Sequence, residues 1–193
     1  MPTLTPLLLA GGHSSRMGTR KELLRVVGDV PLFVHLLVIL REACPESEDV
    51  FLSLRDHDSL KAIEDDRHIT TVTDNRLNLT HGAITFPVHV VYDGPGVPCE
   101  HDSTGIGPAA GLLAAHYQEE IAHWLVVACD YPFISVAALS QLRGEWTAPV
   151  TCFENRDGFY DLRPHEERWI FNVNTPADLE LASNMEAKPQ ASS

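Results

Sequence analysis

The sequence is short of cysteine, of positive charge and of long apolar runs, and each shortage removes a class of function. Its four cysteines, Cys44, Cys99, Cys129 and Cys152, stand far apart with no Cys-x-x-Cys pair. That pattern excludes a disulfide framework and matches the reduced thiols of the cytoplasm. Cys99, His101 and Asp102 lie close together, but no second Cys/His pair stands at zinc-ligand spacing. Lys and Arg number 14 against 27 Asp and Glu, a formal net charge of −13. Such a field repels phosphate backbones and anionic lipid heads, so neither nucleic acid nor a membrane is an expected partner. The longest apolar run near the start, Leu7-Leu8-Leu9-Ala10, is far too short to span a bilayer or to form the core of a secretion signal. A soluble cytoplasmic protein is expected. Two phosphate-loop signatures are missing as well. Five residues separate Gly12 from Gly18, and Thr19 follows, where Walker A requires four and then Gly-Lys-Ser/Thr; no Gly-x-Gly-x-x-Gly occurs either.

What remains is an ordinary globular composition of 193 residues, 44% hydrophobic and 21% charged, enough for one self-sufficient core. A single domain over residues 1–185 is expected, with a small, polar, disordered tail over 186–193. Leu7 to Ala10, Leu23 to Val27, Val50 to Leu54, Val88 to Tyr92, Trp124 to Ala128, Val150 to Phe153 and Ile170 to Val173 read as strands. Leu32, Phe33, Leu36, Leu37 and Leu40 follow Pro31 at helical spacing, and Pro45 bars continuation. Further helices are expected over Ala109 to Tyr117, Val136 to Leu142 and Pro176 to Asn184. Strands alternating with helices predict an α/β fold, a doubly wound, mostly parallel sheet with helices on both faces. Thr73 to Pro87 and Asp93 to Gly107 read as long loops.

In a doubly wound sheet ligands bind outside the carboxyl ends of the strands, and the stretch after the first strand is rich in the chemistry that phosphate needs. Gly11, Gly12 and Gly18 let the backbone approach a phosphate and present N–H donors. Arg16 can fork two donors onto phosphate oxygens, and Lys21 supplies a movable point charge. Alone, each would pass for a turn residue or a solvated charge. Two cations among three glycines after a buried strand, in so acidic a chain, point to phosphate.

Two carboxylates also follow apolar strands. Trp124-Leu-Val-Val-Ala-Cys-Asp130 places an oxygen donor where Mg²⁺, which takes one or two carboxylates plus phosphate oxygens, can be held. Asp130 could instead cap the following helix, although Ser135 is better placed for that. Asp93 closes the strand that ends at Tyr92 and reads equally well as a loop aspartate before Gly94-Pro95.

The stretch Leu9-Ala10-Gly11-Gly12-x-Ser14-x-Arg16-Met17-Gly18, with Lys21 beyond it, resembles the signature of the molybdenum cofactor guanylyltransferases within the larger nucleotidyltransferase group. Three later stretches match in the same order: Gly107-Pro-Ala-Ala-Gly-Leu112, Cys129-Asp-Tyr-Pro-Phe133 and Asn172-Val-Asn-Thr-Pro176. The resemblance implies a Rossmann-like nucleotidyltransferase fold and transfer of GMP from GTP to the phosphate of molybdopterin, releasing pyrophosphate. It implies that Leu9, Ala10, Gly11, Gly12, Ser14, Arg16, Gly18 and Lys21 bind the nucleotide and that Asp130 holds Mg²⁺. Asp93 would lie beside the guanosine, with Gly107 and Pro108 shaping that side, and Asn172 and Asn174 would line the acceptor pocket. The Gly-Gly after Ala10 resembles the guanylyl branch, where cytidylyl relatives usually carry Ala-Gly.

Two departures bear on what this chain does. At the end of its Val50 to Leu54 strand it carries Ser53-Leu54-Arg55, where relatives often carry a polar base-contacting residue. Only 39 residues separate Pro132 from Asn172, fewer than the family usually places there, the shortening falling between about residues 158 and 165. The alternatives are therefore a nucleotidyltransferase using CTP or a sugar-phosphate acceptor, and a nucleotide-binding module that is inactive because its acceptor half is truncated.

Overall fold

Six strands build one sheet: β1 (Leu4–Leu9), β2 (Val50–Leu54), β3 (Ile69–Thr73), β4 (Arg76–His81), β5 (Ile84–Tyr92) and β6 (His123–Ala128). The computed structural model describes residues 3–12, 17–93, 108–147, 150–153 and 162–186. The strand order is β3-β4-β5-β2-β1-β6. β5, β2, β1 and β6 run parallel, and β3 and β4 add an antiparallel edge. Going from β1 to β2 the chain moves one way across the sheet, and β6 returns on the other side of β1. That reversal is the switch point at which such sheets open a crevice.

The apolar strands alternate their side chains between two faces. Leu8, Leu52, Val88, Val90, Leu125 and Val127 face the larger core with α1 (Leu32–Ala43), α2 (His57–Glu64) and α4 (Val136–Gly144). Leu7, Phe51 and Val91 face a smaller cluster with Ala115 of α3 (Pro108–Gln118). Helices thus cover both faces, as expected. A third cluster unites Met17, Val26, Phe133, Val173 and Ala182, the last on α5 (Pro176–Glu186). It packs the glycine loop's exit and the segment after Asp130 against the last helix. Among the described residues no helix is long and apolar enough to cross a membrane.

Several elements differ from the expectation. Leu23 to Val27 is no strand: Lys21–Leu23 forms a 3-10 turn and the chain then runs irregularly. Ile170 to Val173 is likewise not in the sheet: Ile170 ends a 3-10 turn over Glu167–Ile170 and the chain then runs irregularly. Both stretches are apolar because Leu24, Val26, Val27, Phe171 and Val173 fill the third cluster, not because they join a ladder. From Val150 to Phe153 only Phe153 pairs, in a lone bridge with Leu162. Thr73 to Pro87 is not a loop but carries β4 and the start of β5. Pro87 precedes Val88, the first β5 residue paired with β2, so its missing N–H falls where β5 is bordered by β4 alone. The loop expected over Asp93 to Gly107 lies outside the described residues after Asp93, and so does the tail from residue 187.

Helix ends follow local chemistry. Ser135 accepts from the Ala138 N–H and caps α4, and α1 starts after Pro31 and stops at Ala43, short of Pro45. Asp56 caps α2, its Oδ1 accepting from the Ser59 N–H at 2.8 Å and the Ser59 hydroxyl at 2.7 Å. The Arg55 guanidinium first, then Ser59, holds the Asp56 carboxyl down at about 2. A carboxyl lowered on folding contributes stability that is complete above its ordinary value and is lost as pH falls through the folded one. Asp56→Ala is therefore expected to remove about 1 kcal/mol at neutral pH. In urea titrations the wild-type advantage should shrink as pH falls from 3.8 to about 2. An advantage that stays constant across that range contradicts the assignment.

Candidate functional site

The carboxyl ends of the parallel strands lie in register: Leu9 is opposite both Ser53 and Ala128, and Ser53 is opposite Val91. Backbone bonds extend the ladder by one step, from Cys129 N–H to Leu9 O at 2.9 Å, Ala10 N–H to Ser53 O at 2.9 Å and Asp93 N–H to Leu54 O at 2.9 Å. Ala10 to Gly12, Asp93 and Asp130 are thereby delivered to one edge of the sheet. Two groups of side chains assemble there.

The first is a ring at the switch point between β1 and β6. Asn172 Nδ2 donates to Asp130 Oδ2 at 3.1 Å, and Asn174 Nδ2 donates to Asn172 Oδ1. Lys21 Nζ donates to Asn174 Oδ1 at 2.6 Å and lies 3.7 Å from Asp130 Oδ2, which closes the ring. Four residues singled out in the sequence, from three distant segments, thus meet around one carboxylate. The Val173 N–H donates to the Asp130 carbonyl at 2.8 Å, which pins the Asn172–Asn174 segment beside it. Asp178 holds the same segment from the other end, accepting from the Thr175 hydroxyl at 2.8 Å and from the Asn174 and Thr175 N–H groups at 3.0 and 2.8 Å. The Thr175 hydroxyl, followed by these N–H groups, lowers the Asp178 carboxyl below its ordinary value. Thr175 and Asp178 are a capping pair, so the capping expected of this stretch and its place in the ring coexist.

Asp130 Oδ1 is buried and has no hydrogen-bond partner among the described residues. A carboxylate oxygen left bare in this way fits a hard cation, which would complete its coordination with phosphate oxygens and water. Among the described residues no group of three or more His, Cys, Asp or Glu forms a metal cage, so any ion here would lean on one protein carboxylate and its substrate. Burial first, and then the Asp130 charge, pushes the neighbouring Cys129 thiol up to about 12, which disfavours its thiolate.

The second group gathers around Asp93. Ser53 Oγ donates to Asp93 Oδ1 at 2.6 Å. Gly11 abuts the other oxygen so closely that a Cβ there would stand 1.9 Å from Asp93 Oδ2. Burial raises the Asp93 carboxyl, opposed first by the Ser53 hydrogen bond and then by Arg55. Gly111 on α3 approaches Ser53 in the same fashion. Gly18 adopts a left-handed φ of 68°, Leu9 ends β1, Gly12 is exposed, and Pro108 opens α3. Ser14, Arg16 and Gly107 lie outside the described residues, as does the expected shortening near residue 158.

Two buried polar residues of this edge were not assigned a role from sequence. Ser53 is a lone hydroxyl within the apolar strand Val-Phe-Leu-Ser-Leu, and that position was the available signal. Glu22 is 4% exposed, lies 3.6 Å from Arg20 Nη1, and is raised by burial. Nothing in the local pattern Lys-Glu-Leu-Leu distinguishes it from a surface glutamate.

A family model described as the MobA-like NTP transferase domain matches residues 6–164, ending before Asn172. A Rhodopirellula baltica protein named "Probable molybdenum cofactor guanylyltransferase" is 28% identical over 221 residues, covering 92% of this chain and 90% of that protein. That span exceeds this chain's 193 residues, so the relative carries additional residues within it. A Synechocystis protein named "Molybdenum cofactor biosynthesis bifunctional protein" is 26% identical over 159 residues, covering 78% of this chain but 35% of that protein. The crystal structure of Rv0371c from Mycobacterium tuberculosis aligns with a TM-score of 0.46 at 21% identity, covering 74% of this chain and 59% of that one.

Contact at Gly11 gives a test of the geometry. Gly11→Ala is expected to lower stability by about 1–3 kcal/mol through overpacking against Asp93. Gly12→Ala, where an added Cβ meets nothing within 4 Å, should leave the urea midpoint near that of the wild type. Equal midpoints for the two variants would refute the close approach.

Proposed function

We propose, for a chain that belongs to the MobA-like NTP transferase family, that this nucleotidyltransferase moves GMP from GTP onto the phosphate of molybdopterin and releases pyrophosphate. The observation that carries the reading is the ring of Lys21, Asn174, Asn172 and Asp130 Oδ2 at the switch point, beside an Asp130 Oδ1 that is buried and has no hydrogen-bond partner among the described residues. The names of the two curated relatives supply the substrate class. One domain over residues 1–185 would carry the activity.

In this reading the acceptor phosphate attacks the α-phosphorus in line, and the bond to the departing pyrophosphate breaks. Little covalent chemistry falls to the protein, so the residues act by position and charge. Glycine-loop N–H groups and Arg16 would hold the triphosphate. Lys21, which donates to Asn174 at 2.6 Å, would place its charge on the leaving oxygens. Asp130 would hold Mg²⁺ by the oxygen left bare. When bound, that ion would neutralise charge on the phosphoryl oxygens. Asn172 and Asn174, fixed by Asp178 and by the Val173 bond, would hold the acceptor opposite the nucleotide. Asp93 would accept from the guanine N–H donors or the ribose hydroxyls, with Pro108 and Gly107 beside it.

A second reading, nucleotide binding without transfer, draws on the short span between Pro132 and Asn172 and on the additional residues of the Rhodopirellula relative. One assay separates the two. With GTP, Mg²⁺ and molybdopterin supplied, the wild type is expected to release pyrophosphate. Asp130→Ala should lower that release by about 100-fold or more while still unfolding cooperatively. GTP binding without pyrophosphate release would favour the second reading. A folded Asp130→Ala that turns over normally would remove Asp130 from the mechanism.

A further inference from the structure

The Asp93 carboxylate is gripped by more of the fold than a loop aspartate needs. It leaves β5 and is met by β2 through Ser53, by the glycine loop through Gly11 and, one contact further, by α3 through Gly111. Ser53 is 1% exposed, and its hydroxyl gives its proton to Asp93 Oδ1 at 2.6 Å. A Cβ on Gly111 would stand 2.3 Å from Ser53 Oγ and 2.8 Å from Leu9 Cδ2. The absence of side chains at Gly11 and Gly111 therefore leaves the space that the Asp93 carboxylate and the Ser53 hydroxyl occupy.

We infer that Ser53 is a positioning residue for base selection: its hydroxyl, seated in the space left by Gly111, fixes the Asp93 carboxylate as a pure acceptor that favours guanine over cytosine and adenine. The inference rests on the guanine-nucleotide reading above and extends it to a residue where this chain departs from the resemblance. Guanine offers two adjacent donors, N1–H and the 2-amino group, which a charged carboxylate can accept together. Cytosine and adenine each set a ring-nitrogen lone pair beside their amino group, and a charged carboxylate repels that lone pair. A protonated carboxyl would instead donate to it and accept from the amino group. Burial drives Asp93 towards that form, and Asp56 adds to the drive; the Ser53 hydrogen bond and the Arg55 charge oppose it. Removing the hydroxyl leaves Arg55 alone in opposition and frees the carboxyl to turn.

The experiment is calorimetric titration of the full chain with GTP and with CTP, each with Mg²⁺, for wild type, Ser53→Ala and Gly111→Ala. Circular dichroism confirms that each variant is folded. Wild type is expected to prefer GTP. In Ser53→Ala the preference should fall by about tenfold, the size of one hydrogen bond to a charged group, with CTP affinity holding or rising. Gly111→Ala perturbs the same hydroxyl from another element and should move the preference in the same direction; if it does not fold, Ser53→Ala alone decides. A folded Ser53→Ala that keeps the wild-type preference overturns the inference, and so does an equal loss of affinity for both nucleotides, which is what mere loosening would give. Pyrophosphate release by the wild type tests the transferase reading separately, so the two can fail independently.

Discussion

A carboxylate that leaves an apolar strand must be balanced by something, and at Asp130 the balance is divided. One oxygen takes the Asn172 amide at 3.1 Å and lies 3.7 Å from the Lys21 ammonium; the other is buried and bare among the described residues. Its carbonyl takes the Val173 N–H at 2.8 Å. Through this one residue, β6, the cation beyond the glycine loop and the segment leading into α5 are tied at a single point. The third hydrophobic cluster closes on the same junction. Met17 comes from the glycine loop, Phe133 from just beyond Asp130, Val173 from between the two asparagines, and Ala182 from α5. Apolar burial thus holds together three segments whose polar groups would otherwise have to be desolvated without partners.

The Asp93 side of the edge obeys a different constraint, set by space instead of charge. Gly11 and Gly111 are valuable there for what they lack, since a methyl at either position would collide with Asp93 or Ser53. A strongly acidic chain, at −13, can therefore present two carboxylates at one sheet edge and use them differently. Asp130 lies beside Lys21 and keeps one buried oxygen without a hydrogen-bond partner among the described residues, while Asp93 is held by Ser53 and Gly11.

The sheet's parallel half was readable because continuous apolar runs mark buried strands. β2 falls on Val50–Leu54 as expected, and β1 and β6 fall within a few residues of their expected bounds. The antiparallel extension was not readable. β3 is exposed along nearly its whole length and so lacks apolar alternation, and β5 tolerates Pro87, where the expected loop ends, because its pairing with β2 begins one residue later. The reverse error, strands read into Leu23 to Val27 and Ile170 to Val173, has one cause: apolar residues report burial, and here burial is supplied by a side cluster and not by a ladder. At the site, Lys21, Asp130, Asn172 and Asn174 were legible as chemistry, but their closure into one ring depends on contacts across more than a hundred residues of sequence. Ser53 stood out as a polar residue in a buried strand and as part of a departure from the resemblance, but its partner Asp93 is 40 positions away.

Calorimetric titration of the wild-type chain with GTP, with and without Mg²⁺, tests the central claim most directly. If Asp130 offers its bare oxygen to a cation that also meets the triphosphate, GTP binding is saturable with Mg²⁺ present and weakens clearly when Mg²⁺ is withheld. Binding of equal strength in both conditions, or no binding at all, would contradict that account of the strand edge.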